Sequence, residues 1–137
     1  MNADIVVPDQ AQLDRATQKF MGAKADATYL ESPSTMTFVA LAGPDISGWC
    51  WGYHLIRPDN SSMLYLHQLE VDETHRRTGI GRALLQAFMT AGAAAGASKM
   101  FLTTGADNTA ARSLYDSLGG GLASQGPTVN YWFLLDR

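Results

Sequence analysis

A chain of 137 residues, 46% apolar and 17% charged, has the length and composition of one ordinary globular domain that can bury a core without staples. Its formal net charge of −3 argues against a general nucleic-acid binder and leans slightly toward a cationic partner. A lone cysteine, Cys50, excludes an intramolecular disulfide and a cysteine-based zinc site, and no apolar run reaches the ~18 residues of a membrane span.

The polar start Met1-Asn2-Ala3-Asp4 lacks a signal-peptide core, so a cytoplasmic location is expected. Asp9 to about Gly22 reads as a first helix with Leu13, Ala16, Thr17 and Phe20 on one face. Residues 23–34 are irregular, broken by Pro33, with room for a short second helix. Met36–Ala42 is a strand rich in strand formers. The turn Gly43-Pro44-Asp45 leads to a second strand, Trp49–Ile56, with Trp49, Trp51, Tyr53 and Leu55 on one face. After Pro58-Asp59-Asn60 comes a third strand, Met63–Val71. The short turns make these three an antiparallel meander.

The periodicity then changes. Ile80, Ala83, Leu84, Ala87, Phe88 and Ala91 fall on one helical face, and Gly96 ends that helix. Residues 99–104 form a strand, which a right-handed crossover places parallel to the strand at 63–71. Asn108 caps a further helix with Ala111, Leu114, Tyr115 and Leu118 inward, stopped by Gly119-Gly120-Gly121. Thr128–Leu135 reads as a last strand. The sum is a single α/β domain over residues 1–137, its mixed sheet mostly antiparallel and flanked by helices.

The most informative stretch is Arg76-Arg77-Thr78-Gly79-Ile80-Gly81, between a strand and a helix. Helix starts leave amide N–H groups unpaired, glycines admit a ligand to the backbone, and Arg76, Arg77 and Arg82 add charge. This suits a pyrophosphate. Neither G-x-x-x-x-G-K-[ST] nor G-x-G-x-x-G is present, which argues against a P-loop and a dinucleotide fingerprint. What remains is R-x-x-G-x-G, which by itself is equally a turn with solvated arginines.

Taken together, Leu69-Glu70-Val71, then Arg76-x-x-Gly79-x-Gly81, then Asn108-x-x-Ala111-x-x-Leu114-Tyr115-x-x-Leu118-Gly119 resemble the GNAT acetyltransferase superfamily. The resemblance covers nearly the whole chain and is sharpest over residues 63–119. It implies acetyl-CoA as cofactor. It implies main-chain N–H groups of Arg77, Thr78, Gly79, Ile80 and Gly81 on the pyrophosphate. Leu69 and Val71 would pair with the pantetheine arm, and Asn108, within the motif that includes Ala111, would contact it. That pairing needs the strand at 99–104 to splay from the strand at 63–71 and leave an edge free.

N-acetylation needs a base for the ammonium proton and a proton donor for the leaving thiolate. The resemblance gives the second role to Tyr115, whose alternative is a core tyrosine with a bonded hydroxyl. For the base, His67 ranks first, its imidazole having an unperturbed pKa of ~6.5. Glu70 ranks second, because strict alternation puts it opposite His67 unless a bulge intervenes, and a water relay third. The bland alternative is that His67 only shapes the pocket. His54 and His75 read as weaker candidates, His75 as solvated, and three scattered histidines lack zinc-ligand spacing. Cys50 reads as a small buried hydrophobe, and Trp49, Trp51, Tyr53 and Trp132 as core or dimer surface. Asp26, Glu31, Asp107 and Asp136 are acidic loop residues that would greet a polycation or merely be solvated.

The stretches Tyr53–Pro58, Tyr65–Val71 and His75-Arg76-Arg77 are similar to aminoglycoside 3-N-acetyltransferases of the GNAT type. The resemblance implies a small cationic amine acceptor, with no nucleic-acid or membrane partner. Gln68 departs from that group, which has an aspartate there, so a directly inherited carboxylate base is not implied. Residues 22–35 and 121–128 are where such pockets change substrate. A peptide or protein N-acetyltransferase and a non-catalytic acyl-CoA-binding module are the rival readings. The aromatic strand surfaces permit a homodimer without demanding one.

Overall fold

The computed structural model describes residues 3–135; Met1, Asn2, Asp136 and Arg137 lie outside the described residues. The backbone divides into two compact units, Met1–Thr103 and Thr104–Arg137.

The first unit carries strands β1 (Asp4–Val6), β2 (Thr35–Ala42), β3 (Asp45–Ile56), β4 (Ser62–Val71) and β5 (Met100–Phe101), with helices α1 (Gln10–Met21) and α2 (Ile80–Ala94). The sheet order is β1-β2-β3-β4-β5. The first three pairings are antiparallel and β4–β5 is parallel, giving the mixed sheet expected. The N-terminal β1 was not legible, being only three residues long.

Helix α1 starts where Asp9 and Gln12 cap each other. The Gln12 N–H donates to Asp9 Oδ1 at 2.8 Å, and the Asp9 N–H to Gln12 Oε1 at 3.0 Å. It ends at Gly22, whose φ of 66° is the left-handed cap conformation. Its buried face is Leu13, Ala16 and Thr17, and Leu13 and Ala16 pack with Val39, Ile46 and Trp49 on one side of the sheet. The irregular stretch that follows holds one 3₁₀ turn, Tyr29–Glu31.

Helix α2 buries Ile80, Leu84, Leu85, Phe88 and Gly92. β3 meets it with small residues. A Cβ on Gly48 would lie 3.2 Å from atoms of Ile80 and Leu84, and one on Gly52 would lie 3.0 Å from Phe88 Cζ. Between them Cys50 points its Sγ at the Leu84 carbonyl, 3.6 Å away. The opposite face of β3 is an aromatic row, Trp49, Trp51 and Tyr53.

The second unit contains α3 (Thr109–Ser117), capped by Asn108, whose side chain accepts the Ala111 N–H at 3.2 Å. Gly119 follows at φ 91°. The expected strand at 128–135 does not form. No described strand pairs with this segment, and its apolar side chains are exposed, Trp132 at 92% and Leu134 at 94%. Strand-forming residues express a fit to a half-buried pleated surface, and without a ladder partner that preference produces no strand. No helix among the described residues is long and apolar enough to cross a membrane.

Candidate active site

β4 carries the irregularity on which the site depends. Its register with β3 shifts between Trp51 and Gly52: Trp51 faces Gln68, while Gly52 faces Leu66. His67 is the extra residue of a β-bulge. Strict alternation is broken there: the bulge that the sequence left open is present, and Glu70 shares the face of His67. The His67 ring stacks on Trp51, with centroids 4.5 Å apart and planes inclined by 26°. The Trp51 Nε1–H donates to Gln68 Oε1 at 2.8 Å, and Gln68 Nε2 donates to Glu70 Oε1 at 2.9 Å. Trp51, His67, Gln68 and Glu70 therefore form one connected group on the aromatic face. His67 is exposed and Glu70 half-buried.

The other edge of β4 opens close to the same point. The parallel ladder consists of Leu64↔Met100 and Tyr65↔Phe101, backed by the Leu64 N–H donating to the Lys99 carbonyl at 2.8 Å. The strand expected over 99–104 is thus two residues long. Beyond Tyr65, Leu66 to Val71 have no strand neighbour on that side among the described residues. Leu69 lies on this open stretch. Val71 does too, though its carbonyl already accepts from Arg76 Nε at 3.1 Å.

At the end of β4 the chain turns through Glu73–His75 into the glycine loop. Arg77 sits at φ 65° and Gly79, the N-cap of α2, at φ 85°. A left-handed arginine is strained by roughly 1 kcal/mol or more. The first helical bond runs from the Ala83 N–H to the Gly79 carbonyl, so the N–H groups of Ile80 and Gly81 precede the ladder. A Cβ on Gly79 would meet nothing within 4 Å, so the loop faces open space. Arg76, Arg77, Thr78 and Arg82 are exposed around it. Amides, arginines and an adjoining open strand edge suit a diphosphate with a long amide-bearing tail, as acetyl-CoA has.

The loop is anchored from below. Lys19 Nζ donates to Asp72 Oδ2 at 2.9 Å and to the Ile46 carbonyl at 2.6 Å. The Asp72 N–H donates to the Ser47 carbonyl at 2.8 Å. The Lys19 hydrogen bond holds the Asp72 carboxyl below the usual carboxylate range. His75, expected to be solvated, is half-buried with Nδ1 3.4 Å from Asp72. His54 Nε2 is paired with Ser62 Oγ at 2.8 Å, a cross-strand structural contact.

Tyr115 lies on α3 in the second unit. It is half-buried, and burial pushes its phenol upward, which keeps the hydroxyl protonated at neutral pH. Asn108 spends its side-chain oxygen on the α3 cap, and Ala111 provides the capped N–H. Cys50 is fully buried and burial pushes its thiol up to about 12, which removes it as a nucleophile.

A cavity of about 290 Å3 opens on the aromatic side, between α1, residues 23–29 and β3. Trp49, Trp51 and Tyr53 form its floor. Nothing in the sequence marks these rings as lining a hollow, because the cavity joins distant segments.

The family model of the acetyltransferase (GNAT) family matches residues 8–119. The chain belongs to the GNAT family. Over 81 residues it is 36% identical to N-alpha-acetyltransferase 40 of Saccharomyces cerevisiae. That match takes in 50% of this chain and 28% of the yeast protein, so the chain spans well under half of that relative. Among solved structures it is similar to the aminoglycoside acetyltransferase HMB0005 from an uncultured soil metagenomic sample. The identity is 25% and the TM-score 0.77, over 96% of this chain and 100% of that one. The fold also matches AAC(6')-Iy, solved with the bisubstrate analogue CoA-S-monomethyl-acetylneamine, at 17% identity and TM-score 0.78, over 98% and 100% of the two chains.

Proposed function

We propose that this GNAT chain transfers the acetyl group of acetyl-CoA to a primary amine of a small cationic acceptor, its two units acting as one transferase domain. The open β4 edge running straight into the Arg76–Gly81 loop carries this reading. When bound, acetyl-CoA supplies an acetyl group activated as a thioester. The N–H groups of residues 77–81 hold its diphosphate, with Arg76, Arg77 and Arg82 adding charge. Main-chain groups of Leu69 and Val71 align the pantetheine arm, and the family likeness gives Asn108 and Ala111 a share in binding it. His67, held by its stack on Trp51, takes the proton of the ammonium. Glu70, on the same face and hydrogen-bonded to Gln68, is the second candidate for that base, and a water relay the third. Tyr115 holds a proton for the departing sulfur.

Aminoglycosides head the acceptors, on the sequence likeness around Tyr53–Val71 and the structural likeness to HMB0005; attack from the 3-amino group is the regiochemistry the sequence likeness favours. A peptide α-amine is the second reading, favoured by the 36% identity to the yeast N-alpha-acetyltransferase. The deciding assay is thiol release from acetyl-CoA against aminoglycosides, polyamines, amino acids and short peptides, with product NMR. Saturable release with an amine is expected. Tight acetyl-CoA binding with no turnover on any amine would leave a silent binding module instead.

A further inference from the structure

We propose that the cavity beside His67 receives an aromatic or branched apolar arm of the acceptor amine, so that this chain selects amines by a hydrocarbon group next to the reacting nitrogen. This rests on the amine-transferase reading above and, within it, favours the second acceptor, an α-amine bearing an apolar side chain, over the aminoglycoside. Trp51 is the shared wall, one face stacked on His67 and the residue itself lining the cavity. Leu13, Trp49 and Tyr53 continue the lining.

The polar groups around the cavity are mostly engaged already. The Thr17 hydroxyl donates to the Leu13 carbonyl at 2.7 Å, and the Tyr29 hydroxyl is bonded to Thr37 Oγ1 at 2.8 Å. Asp26 Oδ1 accepts from both the N–H and the hydroxyl of Thr28, each at 2.7 Å, and Lys24 brings a positive charge to the rim. A polyhydroxylated polycation would meet few free partners here, and the charges of Lys24 and Asp26 at the rim offset each other. The Trp49 Nε1–H is itself buried, with no hydrogen-bond partner among the described residues, so it adds no polar point to the lining. The volume sits near the lower bound of ligand pockets, roughly 300 Å3, which suits one ring-sized group.

Phenylalaninamide and glycinamide share the α-amine and differ only in the arm. Thiol release with acetyl-CoA is expected to give phenylalaninamide at least a roughly tenfold advantage in kcat/KM, from burying one large apolar group. The variant Ala25→Phe, which fills the cavity from its loop wall, should collapse that ratio toward one. Tryptophan fluorescence without cofactor gives a second readout: a saturable shift with phenylalaninamide and none with glycinamide is expected. Equal kcat/KM for the two amides, or an arm preference unchanged in Ala25→Phe, would overturn the inference while leaving the transferase reading in place. No turnover with any amine of the panel, beside a saturable fluorescence shift, would uphold the cavity and remove the transferase reading.

Discussion

Gly52→Ala tests the bulge directly. A Cβ at this position would lie 2.0 Å from the Tyr65 carbonyl oxygen and 3.0 Å from both Leu66 Cα and Phe88 Cζ. Two of these neighbours are backbone of a paired strand, so relief requires β3 and β4 to part by about 1 Å where their register shifts. Overpacking that moves backbone costs about 3 kcal/mol, little of it recovered from the ~0.4–1 kcal/mol entropy gain of replacing glycine. With a urea slope of ~1–3 kcal/mol/M for a protein of this size, the unfolding midpoint should fall by about 1–3 M. Turnover should fall further than stability accounts for under folded conditions, because parting the strands releases the bulge that aligns Gln68 and Glu70 with His67. Gly92→Ala is the control. Its Cβ would come 2.2, 2.5 and 2.7 Å from Leu64 Cδ1, Cδ2 and Cγ, so the buried Leu64 side chain must repack, but no backbone stands in the way, and the helix gains ~1 kcal/mol in propensity. A Gly52→Ala midpoint equal to the parent's, or a smaller loss than in Gly92→Ala, would refute the bulge as a backbone-locked feature.

His67→Ala should lose most activity at neutral pH and recover part of it at high pH, where the acceptor amine is already deprotonated; the parent's pH–rate profile in the variant would remove His67 as the base. Tyr115→Phe should lower kcat by about 10²-fold with the KM for acetyl-CoA nearly unchanged, read by steady-state kinetics. Asp72→Asn should destabilise at pH 7. Because the folded carboxyl is held low by Lys19, its contribution is fully present above the ordinary value of ~3.9 and is lost as pH falls through the folded value. The difference between parent and variant in urea unfolding should therefore shrink toward pH 3. The Cys50 thiol, buried and pushed up to about 12, should resist an aromatic disulfide reagent at pH 8 until urea unfolds the chain; rapid native reaction would contradict its burial.

The elements that were legible are those whose signal is local. The Asp9–Gln12 cap, the Gly22 stop and the Leu13/Ala16/Thr17 face each sit within a turn or two of one another, and so does the Asn108 cap of α3. β2, β3 and β4 were legible from strand formers between turn residues, although β3 begins four residues earlier, at Asp45. What was hidden depends on a second strand. The bulge at His67 is a count of residues between two strands, and nothing in Leu66-His67-Gln68 announces it. The short β5 and the unformed strand at 128–135 are the same problem with opposite starting points. Met100–Phe101 pairs for two residues because β4 carries no ladder further, and Val129–Leu135 has strand-forming side chains without a partner strand among the described residues. The glycine loop was legible as chemistry because amides, glycines and arginines lie consecutively, whereas the cavity joins positions about thirty residues apart.

The two features that make β4 a candidate site share one cause. Its last ladder pair with β5 is Tyr65↔Phe101, and the bulge falls two residues later, at His67. A bulge bends its strand and tightens the local twist, which carries the strand away from a straight parallel neighbour. On the β3 side the same extra residue turns Gln68 and Glu70 onto the aromatic face. β3 cannot absorb the mismatch instead, because Gly48, Cys50 and Gly52 are pressed against Ile80, Leu84 and Phe88 with no room for even a methyl at Gly52. Close packing of α2 on the small-residue face of β3 thus forces the irregularity into β4. There one inserted residue opens an edge on one side and gathers His67, Gln68 and Glu70 on the other. Deleting His67 should therefore separate the two properties: Gln68 and Glu70 stay opposite Trp51 and Trp49 on the aromatic face, while β4 straightens and its ladder with β5 extends beyond Tyr65. Slowed amide exchange at Leu66–Val71 would report the extended ladder, and an unchanged exchange pattern there would separate the open edge from the bulge.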